Sequence, residues 1–499
     1  MNKITKIFFI SLLLYTLQTL FALSSFAQLV PDFRVNDDTT NYSQYKAKVG
    51  TDNKGNFVIV WYDQRSGNLR LRGQIFDSNA NRIGKSFQIN NDIYTTNPSL
   101  SVRGDGSFAV SWNVISLKFR IFNNLGYPIT DEIILEDTVA GFVNALGCDT
   151  SGNFIVIFNQ DSSTINNLYY QKLNQYGKKV GSKIIVSDVT TLSTYQGIAI
   201  NVRKDGSFII TWNDKRPPAG SDADDIYFQM FDQFGNRIGV NQKVNDDIST
   251  SNQQIFPKIS SDTTNKFIIA WHDNRESFNS TQFYAQNYLS TGVKEGINFR
   301  LYSSSSKIGA LQLVKKEDGK YLVGWDEDLG SVSTLYFQRY DSSNIKIGLK
   351  KIVSTQSLST SKIYSDIRIF NDKIISVWND ERNGPFDVYS NIRSFSNPDT
   401  TVNIIQISSL VPENFSLDQN YPNPFNSTTL LSFDIKKSDI YKFEIFNNLG
   451  QSLNEIFHKN FNPGTYQINL ESSGLSSGIY YYILSSPMER FVKSFVLLK

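Results

Sequence analysis

FIITWNDKR, residues 208–216, recurs as FVIVWYDQR at 57–65, FIIAWHDNR at 267–275 and IISVWNDER at 374–382. Each copy sets a run that is apolar on both faces ahead of Trp-x-Asp-x-Arg. Alignment on the tryptophan finds Trp61, Trp112, Trp212, Trp271, Trp325 and Trp378, with Phe158 in the remaining place. Successive spacings are 51, 46, 54, 59, 54 and 53 residues, which makes seven units. A period of this size, with four short strands per unit, is the mark of propeller blades.

Every unit divides in the same way. A short strand such as SLSVR (99–103) or KISSD (258–262) meets a tight turn written NKGN, RGDGS, TSGN or RKDGS, where Gly or Asn accepts positive φ at little cost. The Trp strand follows, apolar on both faces as a strand between neighbouring sheets must be. A third strand (LRGQIFD at 71–77, YFQMFD at 227–232, YFQRYD at 336–341) and a second turn, DQFGNRIG at 232–239, lead to a fourth such as QKVND at 242–246. First strands carry apolar residues on one face (Val49, Leu100, Leu146, Ile200, Ile259, Leu313) and mostly small or polar ones on the other (Gly50, Ser101, Gly147, Asn201, Ser260). Small side chains relieve crowding at a propeller axis. The seventh unit lacks a fourth strand after DVYSNIRSF (387–395), and DFRVNDD at 32–38 matches the fourth-strand text QKVNDD. The expected fold is all-β: a seven-bladed β-propeller over 30–396, of no specific family, with an N-terminal strand closing the last blade and leaving no open edge.

The chain has 499 residues, 49 basic against 47 acidic side chains, 19% charged and 13% aromatic residues. A net charge of +2 gives no electrostatic reason to expect nucleic acid as a partner. Lys3 and Lys6, the apolar stretch Ile7 to Leu23 and Ser25-Phe26-Ala27 read as a cleaved signal peptide over 1–27. No later segment is long enough to span a bilayer as a helix, so the mature chain is expected to have no transmembrane segment. Cys148 is the single cysteine, so no internal disulfide is available, and its apolar position suits a buried, inert thiol.

After Phe395 the register breaks. A linker is expected over 397–412, followed by short alternating strands of a small β-sandwich over 413–499. The order NYPNPFNSTT, YKFEIFNNLGQ, NPGTYQINL, SGIYYYIL, KSFVLLK, with Tyr421, Pro422, Asn423, Pro424, Phe425 and Gly450 as its markers, resembles the type A C-terminal sorting domain of the type IX secretion system. Ser427 departs from the proline usual after NPFN. The resemblance implies passage across the outer membrane by the type IX machinery, and a product at the cell surface or released.

Four units carry the full motif: Asp63 with Arg65, Asp214 with Arg216, Asp273 with Arg275, and Asp380 with Arg382. Arginines ringing an axis would grip an anionic sugar, an arrangement similar to sialidase-type propellers. Their aspartate box, Ser-x-Asp-x-Gly-x-Thr-Trp, is absent from this chain. A residue repeated in every blade cannot be one acid or one base, so the motif reads as structural, with Trp in the blade core, Asp capping the turn and Arg pairing with Asp. Function is expected where the repeat breaks, on the face that collects long second-to-third and fourth-to-first connections. Candidate ligand contacts there are Asp214, then Asp222, Asp224 and Asp225 of RPPAGSDADD (216–225), and His272, Asp273 and Arg275. The acidic trio offers oxygen atoms that calcium could use but lacks a known calcium-loop spacing, and no cofactor is expected. Two histidines, His272 and His458, are too few and too far apart for a His-based metal site. No catalytic residue is assigned. Three roles fit: a non-catalytic binding module for an extracellular glycan or protein, a secreted glycan hydrolase or lyase (sialidase-like), and a structural or adhesion protein.

Overall fold

The computed structural model describes residues 28–498 except 66, 94, 138–143, 163–164, 189–196, 216–223, 248–250, 277–281, 305, 329, 331, 355–359, 397–403, 427, 449, 451 and 472–476. The expected leader therefore lies outside the described residues, as do Arg216, Asp222 and Ser427. Within them every named element is a strand, and no helix is long and apolar enough to cross a membrane.

Among the described residues the strands form nine four-stranded sheets, of which seven carry the repeat. Sheet 1 runs Gln44–Thr51, Phe57–Asp63, Arg70–Phe76, Arg82–Gln88, each strand antiparallel to the next. Sheets 2 to 6 repeat that order, with first strands Thr96–Val102, Asn144–Cys148, Ile198–Val202, Gln254–Ser261 and Gln312–Lys315. Sheet 7 is completed from the chain start: Gln28–Arg34 pairs antiparallel with Asp387–Ser394, placing Phe33 opposite Ser390 and Arg34 opposite Tyr389. Its other strands are Lys373–Asp380 and the first strand Lys362–Phe370. In such meanders the first-to-second and third-to-fourth turns share one end of each sheet. The second-to-third and fourth-to-first connections share the other.

The two apolar faces of the Trp strand serve two neighbours. In sheet 1, Phe57, Ile59 and Trp61 pack with Ile375, Val377 and Ile392 of sheet 7. Val58, Val60 and Tyr62 pack with Leu100, Val110 and Trp112 of sheet 2. First strands pack against one another in chain order, and Gln44–Thr51 also packs against Lys362–Phe370. The small residues of these strands sit where that approach is tightest. A Cβ added at Gly50 would lie 2.4 Å from Val102 Cγ2, and one at Gly147 would lie 2.6 Å from Val202 Cγ2.

The fourth strands begin earlier than their text suggests. In sheet 4 the strand is Arg237–Lys243, so Arg237 and Ile238 of the NRIG expected in a turn are already paired. A bulge makes this possible, with Gly239 at φ 69° and the register shifting between Phe228 and Met230. The buried Gln229 fills it, its Nε2 donating to the carbonyls of Met230, Ile238 and Gly239 at 2.9, 3.0 and 3.3 Å. Gln74, Gln171, Gln286 and Gln338 do the same in sheets 1, 3, 5 and 6.

The C-terminal module has two four-stranded sheets sharing one core that includes Phe433, Ile468, Phe443, Tyr482 and Phe495. The stretch expected to be linker contributes a strand, Ile404–Ser408, paired with Gly464–Glu471. Its alternating NIIQIS text suits an edge strand. In the NYPNPF segment Tyr421 is exposed, and the Tyr421-Pro422 and Asn423-Pro424 bonds are cis. Asn423 Oδ1 accepts the Val496 N–H at 2.8 Å, and Phe425 is buried against Phe495. Gly450 closes its turn at φ 76°.

Candidate functional site

The repeated motif consumes its own charges. All six tryptophans are fully buried. Trp61, Trp212, Trp271 and Trp378 donate Nε1 to the aspartate two residues on, at 3.1, 2.7, 2.8 and 3.1 Å. Asp273 also accepts the Arg275 backbone N–H at 2.9 Å and its Nε at 3.0 Å. Arg275 then reaches back to Asp246, on the connection leaving sheet 4, at 2.7 Å and lies over the Tyr284 ring. Arg65 repeats the pattern with Asp63 and with Asp37, and Arg382 with Asp380 and with Asp32. These three arginines are bound to carboxylates of their own sheet or of the connection leading into it, so they form no open anion-binding ring.

The remaining candidates on the loop-rich face divide into three settings. Asp225 pairs with Lys243 and, through Asn245 and Gln254, reaches Asp273, making one polar chain across sheets 4 and 5. Asp214 is fully buried beneath Trp212. Asp224 is buried beside it, accepting Asn213 Nδ2 at 3.1 Å on one oxygen, while its other oxygen has no hydrogen-bond partner among the described residues. Burial raises the Asp224 pKa above the ordinary carboxylate value. His272 lies edge-on to Phe256 and Phe283, and burial, reinforced by Lys258, lowers its pKa to about 3. Among the described residues no three His, Cys, Asp or Glu side chains gather as a metal site.

The first strands hold further candidate residues near their loop-rich ends. On the loop-rich face three first strands bulge around non-glycine residues at positive φ: Lys46 (52°), Asn97 (52°) and Phe256 (55°). Register shifts between Tyr45 and Lys48, Thr96 and Ser99, and Ile255 and Lys258 mark the same places. Such backbone is costly for a side chain with a Cβ and gathers at functional sites. Phe256 is 41% exposed there, Lys46 is exposed, and Gly197 lets sheet 4 approach, since a Cβ would sit 2.7 Å from Phe256 Cα. The signal was available in YKAKVG (45–50) and FPKISS (256–261), where a lysine interrupts strands that are otherwise small or apolar.

On the opposite, short-turn face a cavity of about 500 Å3 is lined by Arg103, Asp105, Cys148, Asp149, Gln175 and Arg203 among others. Arg103 is occupied by the Gly152 and Gln175 carbonyls. Cys148 donates Sγ to the Val102 carbonyl at 3.3 Å, and burial raises its pKa, which leaves it a poor nucleophile at neutral pH. None of the residues expected to bind ligand lines this cavity.

Two β units with separate cores thus make up the described residues, one repetitive and one not. Residues 419–498 match the model of the secretion system C-terminal sorting domain. The C-terminal module is a type IX sorting domain, and the chain carrying it is addressed for export, to the cell surface or beyond. No curated protein matches the chain. Among solved structures it is similar to a protein of unknown function from Dyadobacter fermentans, at 8% identity over 73% of this chain and 98% of that one, with a TM-score of 0.45. It is also similar to the α-L-arabinanase of Penicillium chrysogenum, at 12% identity over 61% and 94%, TM-score 0.40. A third likeness is to the GH93 α-L-arabinofuranosidase of Fusarium graminearum, at 11% identity over 74% and 99%, TM-score 0.42. At these scores the likenesses assign neither substrate nor chemistry to this chain.

Proposed function

We propose that residues 28–396 close into a seven-bladed propeller that binds an extracellular glycan without turning it over, at the axial mouth on the loop-rich face. The export leader over 1–27 and the sandwich-like sorting module, acting with the type IX machinery, deliver it across the outer membrane. The observation that carries the reading is the set of left-handed residues Lys46, Asn97 and Phe256 around the mouth, which hold an aromatic ring out of the core where a sugar face can stack on it. The reading needs no cofactor, and added chelator is expected to leave binding unchanged. A screen of the mature chain (28–499) against a glycan panel tests it, with binding and turnover both recorded. Phe256→Ala is expected to weaken the bound glycan at least tenfold while leaving the unfolding temperature near that of the parent. Unchanged affinity in that variant would remove the mouth as the site. One observation favours a glycan hydrolase or lyase instead: Asp224, buried, raised in pKa and with one oxygen unpartnered, has the properties of a general acid. Turnover of any panel glycan that Asp224→Asn abolishes would put that reading first.

A further inference from the structure

Below the mouth the first strands bring one equivalent residue from each sheet to the same level. Their pairing register identifies it: Lys48 opposite Val60, Ser99 opposite Ser111, Ala145 opposite Ile157, Ala199 opposite Thr211, Lys258 opposite Ala270, Gln312 opposite Gly324 and Asp366 opposite Val377. Two residues further along, the matching positions are Gly50, Ser101, Gly147, Asn201, Ser260, Val314 and Arg368. Four charged side chains therefore stand in a ring that is otherwise small or neutral. Asp366 is fully used: it accepts the Val49 N–H at 3.1 Å, the Ile367 N–H at 2.9 Å and Arg368 Nη1 at 2.9 Å. It thereby balances Arg368. Lys48 and Lys258 have neither a hydrogen bond nor an ion pair from their ammonium groups to any described residue. Both are partly accessible, while Ala47, Val49, Pro257 and Ile259 beside them are buried, so their side chains leave the packed faces.

Sheet 5 adjoins neither sheet 1 nor sheet 7, yet Lys258 feels Lys48 and Arg368 as repelling charges and Asp366 as an attracting one. Charged ends of first strands from non-adjacent sheets thus lie within electrostatic reach of one another, as a shared centre would bring them. Burial, then Lys48, lowers the Lys258 pKa to about 8, the response of an ammonium enclosed beside a like charge. His272, whose pKa Lys258 also depresses, faces the same lysine from the second strand of sheet 5. Two enclosed cations sharing a shaft without a free counter-charge are an unfavourable arrangement that an anion placed between them would relieve.

We infer that the shaft receives the anionic group, a carboxylate or a sulfate, of a ligand whose body lies on the mouth, with Lys48 and Lys258 as its ammonium contacts and Lys46 at the rim. This rests on the reading of the mouth as a glycan site and names the class of glycan as acidic. The two lysines come from sheets on different sides of the axis, so the ligand's charged end is held on the axis itself. Lys46 stands two residues before Lys48 and Phe256 two before Lys258, which aligns an aromatic platform above with a charge trap below.

Calorimetry on the mature chain (28–499) tests this with oligogalacturonate, a sulfated oligosaccharide, and the uncharged counterpart of each. Inorganic sulfate and acetate alone are followed by thermal shift. An acidic glycan is expected to bind at least tenfold more tightly than its neutral counterpart, and the two acidic probes separate carboxylate from sulfate. The affinity should fall several-fold between low and physiological salt. Lys48→Met with Lys258→Met should remove the preference while leaving the far-ultraviolet circular dichroism unchanged. Neutral and acidic glycans binding equally would overturn the inference and leave the glycan site standing. Sulfate stabilising the parent but not the double variant, with no glycan bound, would keep the anion site and discard the glycan reading. If the double variant fails to fold, the parent's own salt dependence and its preference for the acidic probe decide, and the absence of both overturns the inference.

Discussion

Asp273 receives the Trp271 indole, the Arg275 backbone and the Arg275 guanidinium, and it does so with no exposed surface of its own. One carboxylate thus joins core packing, the exit turn and, through Asp246, the connection leaving the preceding sheet. Removing it strands a mostly buried guanidinium and an indole N–H together. Asp273→Ala is expected to cost about 3 kcal/mol in unfolding free energy, read by denaturant titration, with Arg275→Lys costing clearly less. His272 supplies a pH signature. Its folded pKa is about 3, set first by burial and then by Lys258, against 6.5 for an ordinary histidine. Between those values the unfolded chain holds a proton that the folded chain refuses. The stability from neutral His272 is therefore complete above about pH 6.5 and drains on acidification, at up to about 1.4 kcal/mol per pH unit. Melting curves from pH 7 to 4.5 should fall more steeply for the parent than for His272→Phe, which keeps the contacts with Phe256 and Phe283. Parallel curves would mean that the ring is already protonated, or solvated, in the fold.

At the scale of the element, the Trp strand was legible because its pattern repeats with unit period and is apolar on both faces, a combination only a strand between two sheets requires. The fourth strand was less so. Gln229 in YFQMF carries no sign in the sequence of its role: it is fully buried and serves three carbonyls opened by the bulge at Gly239. A side-chain amide standing in for ladder bonds leaves no mark on hydrophobic periodicity. Nor could alternation show that Lys48 and Lys258 occupy equivalent positions, because that equivalence is defined only once the strands are paired. The strand inside NIIQIS was missed because a five-residue edge next to Pro and Thr looks like linker. The bulge makes two unequal demands. Gln229→Leu leaves three buried carbonyls short of a donor and is expected to cost about 2 kcal/mol. Gly239→Ala meets no atom within 4 Å, so it bears only the positive-φ penalty of roughly 1 kcal/mol. Chemical unfolding of both variants checks the order, and equal losses would mean that steric fit rather than hydrogen bonding governs the bulge.

Across the whole molecule the decisive join is between the two ends of the repeat. Gln28–Arg34 does more than occupy an edge of sheet 7. Asn36 accepts the Val388 N–H at 2.9 Å and donates to Asp387 and Gln44 at 2.8 and 3.0 Å. Asp32 takes Asn391, Ser354 and Arg382. A segment of about ten residues thereby ties sheets 6, 7 and 1 to each other. Deleting 28–38 would uncover the full length of Asp387–Ser394 as an unpaired edge and leave Asp387 and Gln44 without their shared partner. A chain beginning at residue 39 is expected to melt well below the chain beginning at 28 and to associate as its concentration rises. Adding the 28–38 peptide in trans should recover part of the loss, because the strand's contacts are side-chain specific rather than merely extended. If the shortened chain melts with the parent and stays monomeric, closure by the N-terminal strand contributes nothing, and an axis shared by seven sheets loses its mechanical basis.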